Sequence, residues 1–305
     1  MTWLIVAISA YFLLAIVALG DKYLLGERIP VPKVYAFYIG ALGILAVALI
    51  PFGFLIPKLS TIFLALMAGV FHILALWIYF EGMKSFEASK IVPALGGFLP
   101  IFTLGLVFIF SGGKESLAPF KFIAFVFLVL GSIIITLEKK KAVSFKALSI
   151  AALAAFLFSL YFVLAKFVYL SQPFISGFIW TRIGAFLVVL FLLFFKEVRD
   201  DIFKKPKIFQ KKTWAIFLPN EILGTGAFIL QNWAVALVPL SFLAFVNVLE
   251  GTKYLFLLIF TTILSLTVSS WAKRVGLKER ISKEILFQKI IAVLLICIGL
   301  FLLSI

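Results

Sequence analysis

Apolar runs follow one another along nearly the whole chain, broken by short polar segments. Each run is long enough to cross a hydrocarbon core of ~30 Å as a helix. The pattern predicts ten spans, over residues 3–24, 35–56, 61–82, 88–110, 119–137, 148–170, 174–195, 214–237, 241–268 and 286–304. Ten-residue segments of alternating polarity, the mark of a membrane barrel, are missing. The breaks are short, among them "IPKLS", "KSFEASK", "SQP" and "VPLS". Consecutive helices are therefore expected to be antiparallel neighbours, and no loop is long enough to hold a soluble domain. The run from Trp3 to Leu19 has no basic segment before it and no small-residue cleavage site after it. It reads as a first span rather than a signal peptide.

Composition agrees with this class. The 305 residues are 64% hydrophobic and 13% charged, about half the charged fraction of a soluble domain. A net charge of +15 would suggest nucleic acid in a soluble protein. Here the excess sits in alternate loops, including Arg28, Lys33, Lys84, Lys139, Lys140, Lys141, Lys204, Lys205, Lys273 and Arg274. The positive-inside rule places those odd-numbered loops in the cytoplasm and both termini outside. A multi-pass protein of the plasma membrane, with no nucleic-acid partner, is expected.

The chain also repeats itself. "GGKESL" at 112–117 returns as "GLKERI" at 276–281, Lys22 at the end of span 1 matches Lys166 at the end of span 6, and Gly131 matches Gly299. The shared order points to a five-plus-five duplication, residues 1–142 and 143–305. Five is odd, so the halves have opposite orientations. Inverted repeats enclosing a midplane site are an architecture of secondary transporters.

The stretch from Ala75 to Thr136, "ALWIYFEGMKSFEASKIVPALGGFLPIFTLGLVFIFSGGKESLAPFKFIAFVFLVLGSIIIT", resembles the EamA-type ten-helix branch of the drug/metabolite transporter superfamily. It has an aromatic third span, a polar turn, a fourth span with a mid-helix Pro100, a Gly113-Lys114-Glu115 turn and Gly131 in the fifth span. The second half follows the layout but has Glu250-Gly251 where such proteins often have proline. The resemblance implies a carrier of small solutes, often exported metabolites. It also implies cytoplasmic termini, against which we follow the charge distribution.

Ionisable and amide groups inside spans are functional candidates by default, because hydrocarbon makes them expensive. Glu250 and Lys253 lie mid-span in "VNVLEGTKYLF" and, three residues apart, share a helix face. They read either as a self-neutralising contact or as the lining of a solute cavity. If desolvation favours the neutral carboxyl, Glu250 becomes a proton carrier and protons a coupling ion. Asn247 extends the same face. His72, with Trp77 and Tyr79 as an aromatic wall, and Gln231 are further cavity candidates. Gln231 and Asn232 are adjacent, so they face different ways. Asn220 and Glu221 lie towards the loop-proximal end of their span. Pro100 and Gly251 are candidate helix breaks, and Lys22, Lys166 and Arg182 are candidate gates whose long side chains can also snorkel to the interface.

Some chemistries lack their residues. One His and one Cys make no metal or nucleophile cluster, and no G-x-x-x-x-G-K-[ST] loop is present for ATP. No enzyme, metal or cofactor is expected. The reading is a secondary transporter, an exporter of a small polar or amphipathic organic metabolite. A flippase for a lipid-linked substrate and a membrane assembly subunit stand as alternatives.

Overall fold

The structure, a computed structural model, describes residues 2–86, 88–115, 117–136, 144–204, 208, 210–267 and 283–304. Among these it is built of helices: α1 (Thr2–Tyr23), α2 (Pro32–Gly43), α3 (Leu59–Ser85), α4 (Ala88–Phe110), α5 (Pro119–Thr136), α6 (Phe145–Ser171), α7 (Phe174–Leu192), α8 (Lys196–Phe203), α9 (Lys211–Leu237), α10 (Leu243–Val248), α11 (Glu250–Thr267) and α12 (Lys283–Ser304). A π turn extends α1 to Arg28, and a 3-10 segment extends α2 to Phe52. Eight helical segments among the described residues are long and apolar enough to cross a membrane, and two shorter apolar helices cover 119–135 and 287–303. Ile5, Phe63, Phe108, Phe191 and Phe301 stand exposed on the outside. An outer surface this apolar suits lipid rather than water. These features make the chain a multi-pass membrane protein.

The "GLKERI" arm of the sequence repeat and the basic residues Lys139, Lys140, Lys141, Lys205, Lys273 and Arg274 lie outside the described residues. At one end of the bundle, Tyr38 donates to Asp201 at 2.8 Å and Lys33 approaches Glu197 at 3.9 Å. The segments after α1 and α7, both basic, therefore share an end. At the other end, the Leu55 amide donates to Ser176 Oγ at 2.7 Å.

The strongest packing is between distant helices. α3 lies on α6 and α7, α1 on α9, α4 on α6, and α5 on α12, while α1 also meets α11 and α2 meets α7. Small residues make the closest crossings. A Cβ on Gly184 of α7 would fall against the backbone of Leu66 in α3, and one on Gly69 of α3 against the backbone of Thr181 and Ala185. The α5–α12 crossing is reciprocal. A Cβ on Gly131 would meet Ala292 and Ile296, and one on Gly299 would meet Ala124 and Leu128. Ala124, Leu128 and Gly131 each precede their counterpart by 168 residues.

Two helices depart from the expected pattern. α4 is continuous through Pro93 and Pro100, so Pro100 does not break it. The break lies in the second half, between α10 and α11 at Leu249, whose carbonyl accepts from the Thr252 amide at 2.9 Å and from Thr252 Oγ1 at 2.6 Å. Gly251 is not the break. Its missing side chain lets α11 approach Ser132 of α5, which a Cβ would meet at 2.7 Å.

Candidate functional site

The broken helix organises the first polar cluster. Glu250 is the first residue of α11 and buried, and the ion pair that its spacing from Lys253 predicts is formed. Tyr254 Oη donates to the same Glu250 oxygen at 3.3 Å. Tyr11 and Tyr79 lie within electrostatic range of the carboxylate. A pair this deep is held by Coulomb attraction in low dielectric and by the extra hydroxyl, against a large desolvation penalty.

From there a hydrogen-bond chain crosses the bundle. Gln231 on α9 donates to Tyr11 Oη at 3.3 Å, and Tyr11 donates to the Val246 carbonyl of α10 at 2.7 Å. The next residue, Asn247, donates to Thr103 of α4 at 2.7 Å. Thr103 and Ser159 of α6 both donate to the Leu99 carbonyl, at 2.8 and 2.9 Å. Five helices are thus tied by groups that lipid cannot satisfy. Asn247 Oδ1 has no partner among the described residues.

A second cluster lies between α3, α6, α7 and α9. His72 is buried with its ring 4.7 Å from both Tyr161 and Phe228 and 6.2 Å from Phe158. The Arg182 guanidinium lies 4.3 Å over the same Phe228 ring and 5.6 Å from Phe178. Tyr161 and Tyr169 donate to Asn232 Oδ1 at 2.5 and 2.8 Å. Gln231 and Asn232 therefore serve different clusters from one turn of α9.

A third cluster surrounds Asp21 near the end of α1. Its carboxylate accepts from Tyr35 at 2.6 Å and Asn220 at 2.7 Å. Lys253 is within electrostatic range of it, as is Glu221. Gly20 makes room for Asn220, whose Cγ a Cβ there would meet at 2.6 Å.

Several expectations change. Glu250, Lys253, Asn247, Gln231 and Tyr79 gather around the broken helix, whereas His72 belongs to the second cluster. Trp77 is not part of an aromatic wall beside His72. It packs edge-on to Phe195 at 5.3 Å, with Lys33 Nζ 5.8 Å from its ring. Asn220 is buried and bound to Asp21 near the end of α1. Arg182 does not snorkel. It is the ninth of nineteen residues in α7, so ~12 Å of helix separates it from the nearer end, beyond the reach of its side chain. Lys22 is exposed at the end of α1, and the inward-facing residue is its neighbour Asp21.

Lys166 is 2% exposed and donates to the Ala236 carbonyl at 3.0 Å. It therefore caps the C-terminus of α9, where carbonyls lack helical partners and the dipole favours a cation. Lys166→Met should lower stability by about 1.5–3 kcal/mol, the worth of a charged hydrogen bond. Thermal unfolding in detergent measures it, and an unchanged Tm would remove the cap from the account.

Tyr11, Thr103, Ser159, Tyr161 and Asp21 were not nominated by the sequence. The signal was there for Asp21, a carboxylate inside a spanning run. For the hydroxyl residues the partners lie 56 to 235 residues away in the chain, and only the fold brings them together.

Among the described residues, cavities open on the outside of the bundle. One of 340 Å³ is lined by Ile8, Ser9, Phe12, Leu13 and Phe256, another of 210 Å³ by Trp3, Lys121, Pro239, Phe242 and Leu303. Neither includes a residue of the three polar clusters. Among the described residues, no group of three or more His, Cys, Asp or Glu side chains could hold a metal ion.

No family model matches the chain, and no curated protein matches it. A solved structure described only as "Crystal structure of protein" superposes with a TM-score of 0.65 at 15% identity, covering 99% of this chain and 96% of that one. At that identity the likeness speaks to fold alone. It extends the architecture over nearly the full length of both chains.

Proposed function

We propose that the protein is a secondary transporter of the drug/metabolite type, exporting a small polar or amphipathic organic solute across the plasma membrane by alternating access. The observation that carries this reading is the hydrogen-bond chain from Gln231 through Tyr11, Val246, Asn247 and Thr103 to Ser159, anchored at the α10–α11 break beside Glu250. A static bundle gains little from a broken helix and a buried ion pair. A carrier needs both, because irregular backbone and ionisable groups are what contact a solute at mid-depth.

The reading has ten spans in two inverted five-helix repeats, 1–142 and 143–305. The packing supports this. Exchanging the halves turns α1–α9 into α6–α3 and α1–α11 into α6–α4, and leaves α5–α12 and α2–α7 unchanged, and all of these contacts are present. The constant 168-residue offset at the α5–α12 crossing supports it independently. The Lys- and Arg-rich odd-numbered loops face the cytoplasm in this reading.

Protein purified into liposomes should move solute down or against a gradient without ATP. A pH gradient applied across the vesicle tests whether protons are coupled. Strict dependence on ATP would overturn the proposal, and movement of lipid-linked substrates only would favour a flippase.

A further inference from the structure

We propose that Arg182 and His72, set against Phe228, Tyr161 and Phe178, bind the carboxylate of a solute with a flat apolar body. This rests on the transport reading and names the class of solute.

Arg182 is 6% exposed near the midpoint of its helix, and Nε and Nη2 have no hydrogen-bond partner among the described residues. No carboxylate among the described residues forms an ion pair with it. A guanidinium is always charged and offers donors in a planar fork that matches a carboxylate. Burying one without a counter-charge is among the more expensive arrangements a protein can hold. Of the carboxylates in this core, Glu250 is committed to Lys253 and Tyr254 and Asp21 to Tyr35 and Asn220, and Glu221 lies in the Asp21 cluster. The contact that holds Arg182 is the face of Phe228, which attracts a cation weakly and leaves the fork edge unused.

His72 supplies a second group. Its Nδ1 is buried and has no partner among the described residues, and its ring shares Phe228 with Arg182. In the Nδ1-protonated neutral tautomer it donates one more hydrogen bond and no charge. The site then carries a single positive charge, which one carboxylate neutralises. A dianionic phosphate would leave a net negative charge in the core. Phe158, Phe178 and the Tyr161–Phe228 stack, with ring centroids 6.1 Å apart, surround the two groups with ring faces and edges. Such walls favour a planar apolar body over a polyhydroxyl one.

The test uses the purified full-length protein in detergent, with benzoate, acetate, benzylamine and inorganic phosphate as probes. Benzoate at roughly five times its Kd should raise Tm by about 1.5–2 °C. Acetate should act only at higher concentration, and benzylamine and phosphate should have no effect. Arg182→Gln should lose the benzoate shift, yet its own Tm without benzoate should equal or exceed that of the natural protein, because an unpaired buried charge is gone. Arg182→Lys should keep part of the shift, and His72→Gln should weaken benzoate binding about tenfold. These two variants carry the test if Arg182→Gln does not fold. A benzoate shift that survives Arg182→Gln, or an equal shift from benzylamine, would overturn the site. Transport and site are separable. If a cationic solute crosses liposomes without ATP and benzoate neither binds nor competes, the transport reading stands and the carboxylate site falls. If benzoate binds as described and no solute crosses, the site stands and the transport reading falls.

Discussion

Glu250→Gln is expected to cut solute movement in proteoliposomes about tenfold or more while leaving a folded protein in detergent. Gln keeps the shape and an acceptor for Lys253 and Tyr254, so the local hydrogen bonds persist. What it removes is the charge, and a charge-assisted hydrogen bond differs from a neutral one by enough to account for that factor. Glu250→Ala is a different experiment. It leaves the Lys253 ammonium, whose side chain is 15% exposed, without its ion-pair partner and with only the more distant Asp21 carboxylate as counter-charge. The expected loss of stability is about 3–5 kcal/mol. The double variant Glu250→Gln with Lys253→Met should recover stability and not transport. If Glu250→Gln transports at the natural rate with the natural pH dependence, the pair is a structural clamp and has no part in solute movement.

The second large effect is steric. Gly184→Val should destabilise the protein by about 3 kcal/mol or more, at the upper end of overpacking changes. A Cβ at Gly184 would meet Leu66 Cα at 2.6 Å and its carbonyl carbon at 2.7 Å. Backbone cannot rotate away as a flexible side chain can, so α3 and α7 must part. His72 lies three residues beyond Gly69, and Arg182 two residues before Gly184, so the second cluster would open with them. Gly105→Ala is the control. Nothing lies within 4 Å of a Cβ there, and Ala is the better helix former by about 1 kcal/mol. Its Tm should stay level or rise. A Gly184→Val protein with natural Tm would mean that the two helices do not cross as closely as described.

Apolar runs are legible in the sequence because they need no partner to be recognised, and eight of the ten expected spans match described helices long and apolar enough to cross a membrane. The sequence also shows the Glu250–Lys253 contact, since three residues on a helix fix which side chains meet, and it pairs Gly131 with Gly299. It misleads on groups whose role depends on helix rotation. Arg182 and Lys166 are long cations in spans, and composition alone allows them to reach the interface. Only the packing of α7 against α3, and of α6 against α9, turns them inward. Asp21 and Lys22 show the same limit, because adjacent residues differ by ~100° around the axis and only one faces in. Proline removes an amide, which makes Pro100 a candidate break, yet α4 continues through it while α10 ends at Val248 without any proline nearby.

Gln231 and Asn232 are one step apart on α9, and each holds a different cluster: Tyr11 and the broken helix on one side, Tyr161 and Tyr169 beside Arg182 on the other. A helix turns as a rigid rod, so any roll of α9 that loosens one grip loosens the other in the same motion. The two polar clusters are therefore coupled through α9, like lobes on one camshaft.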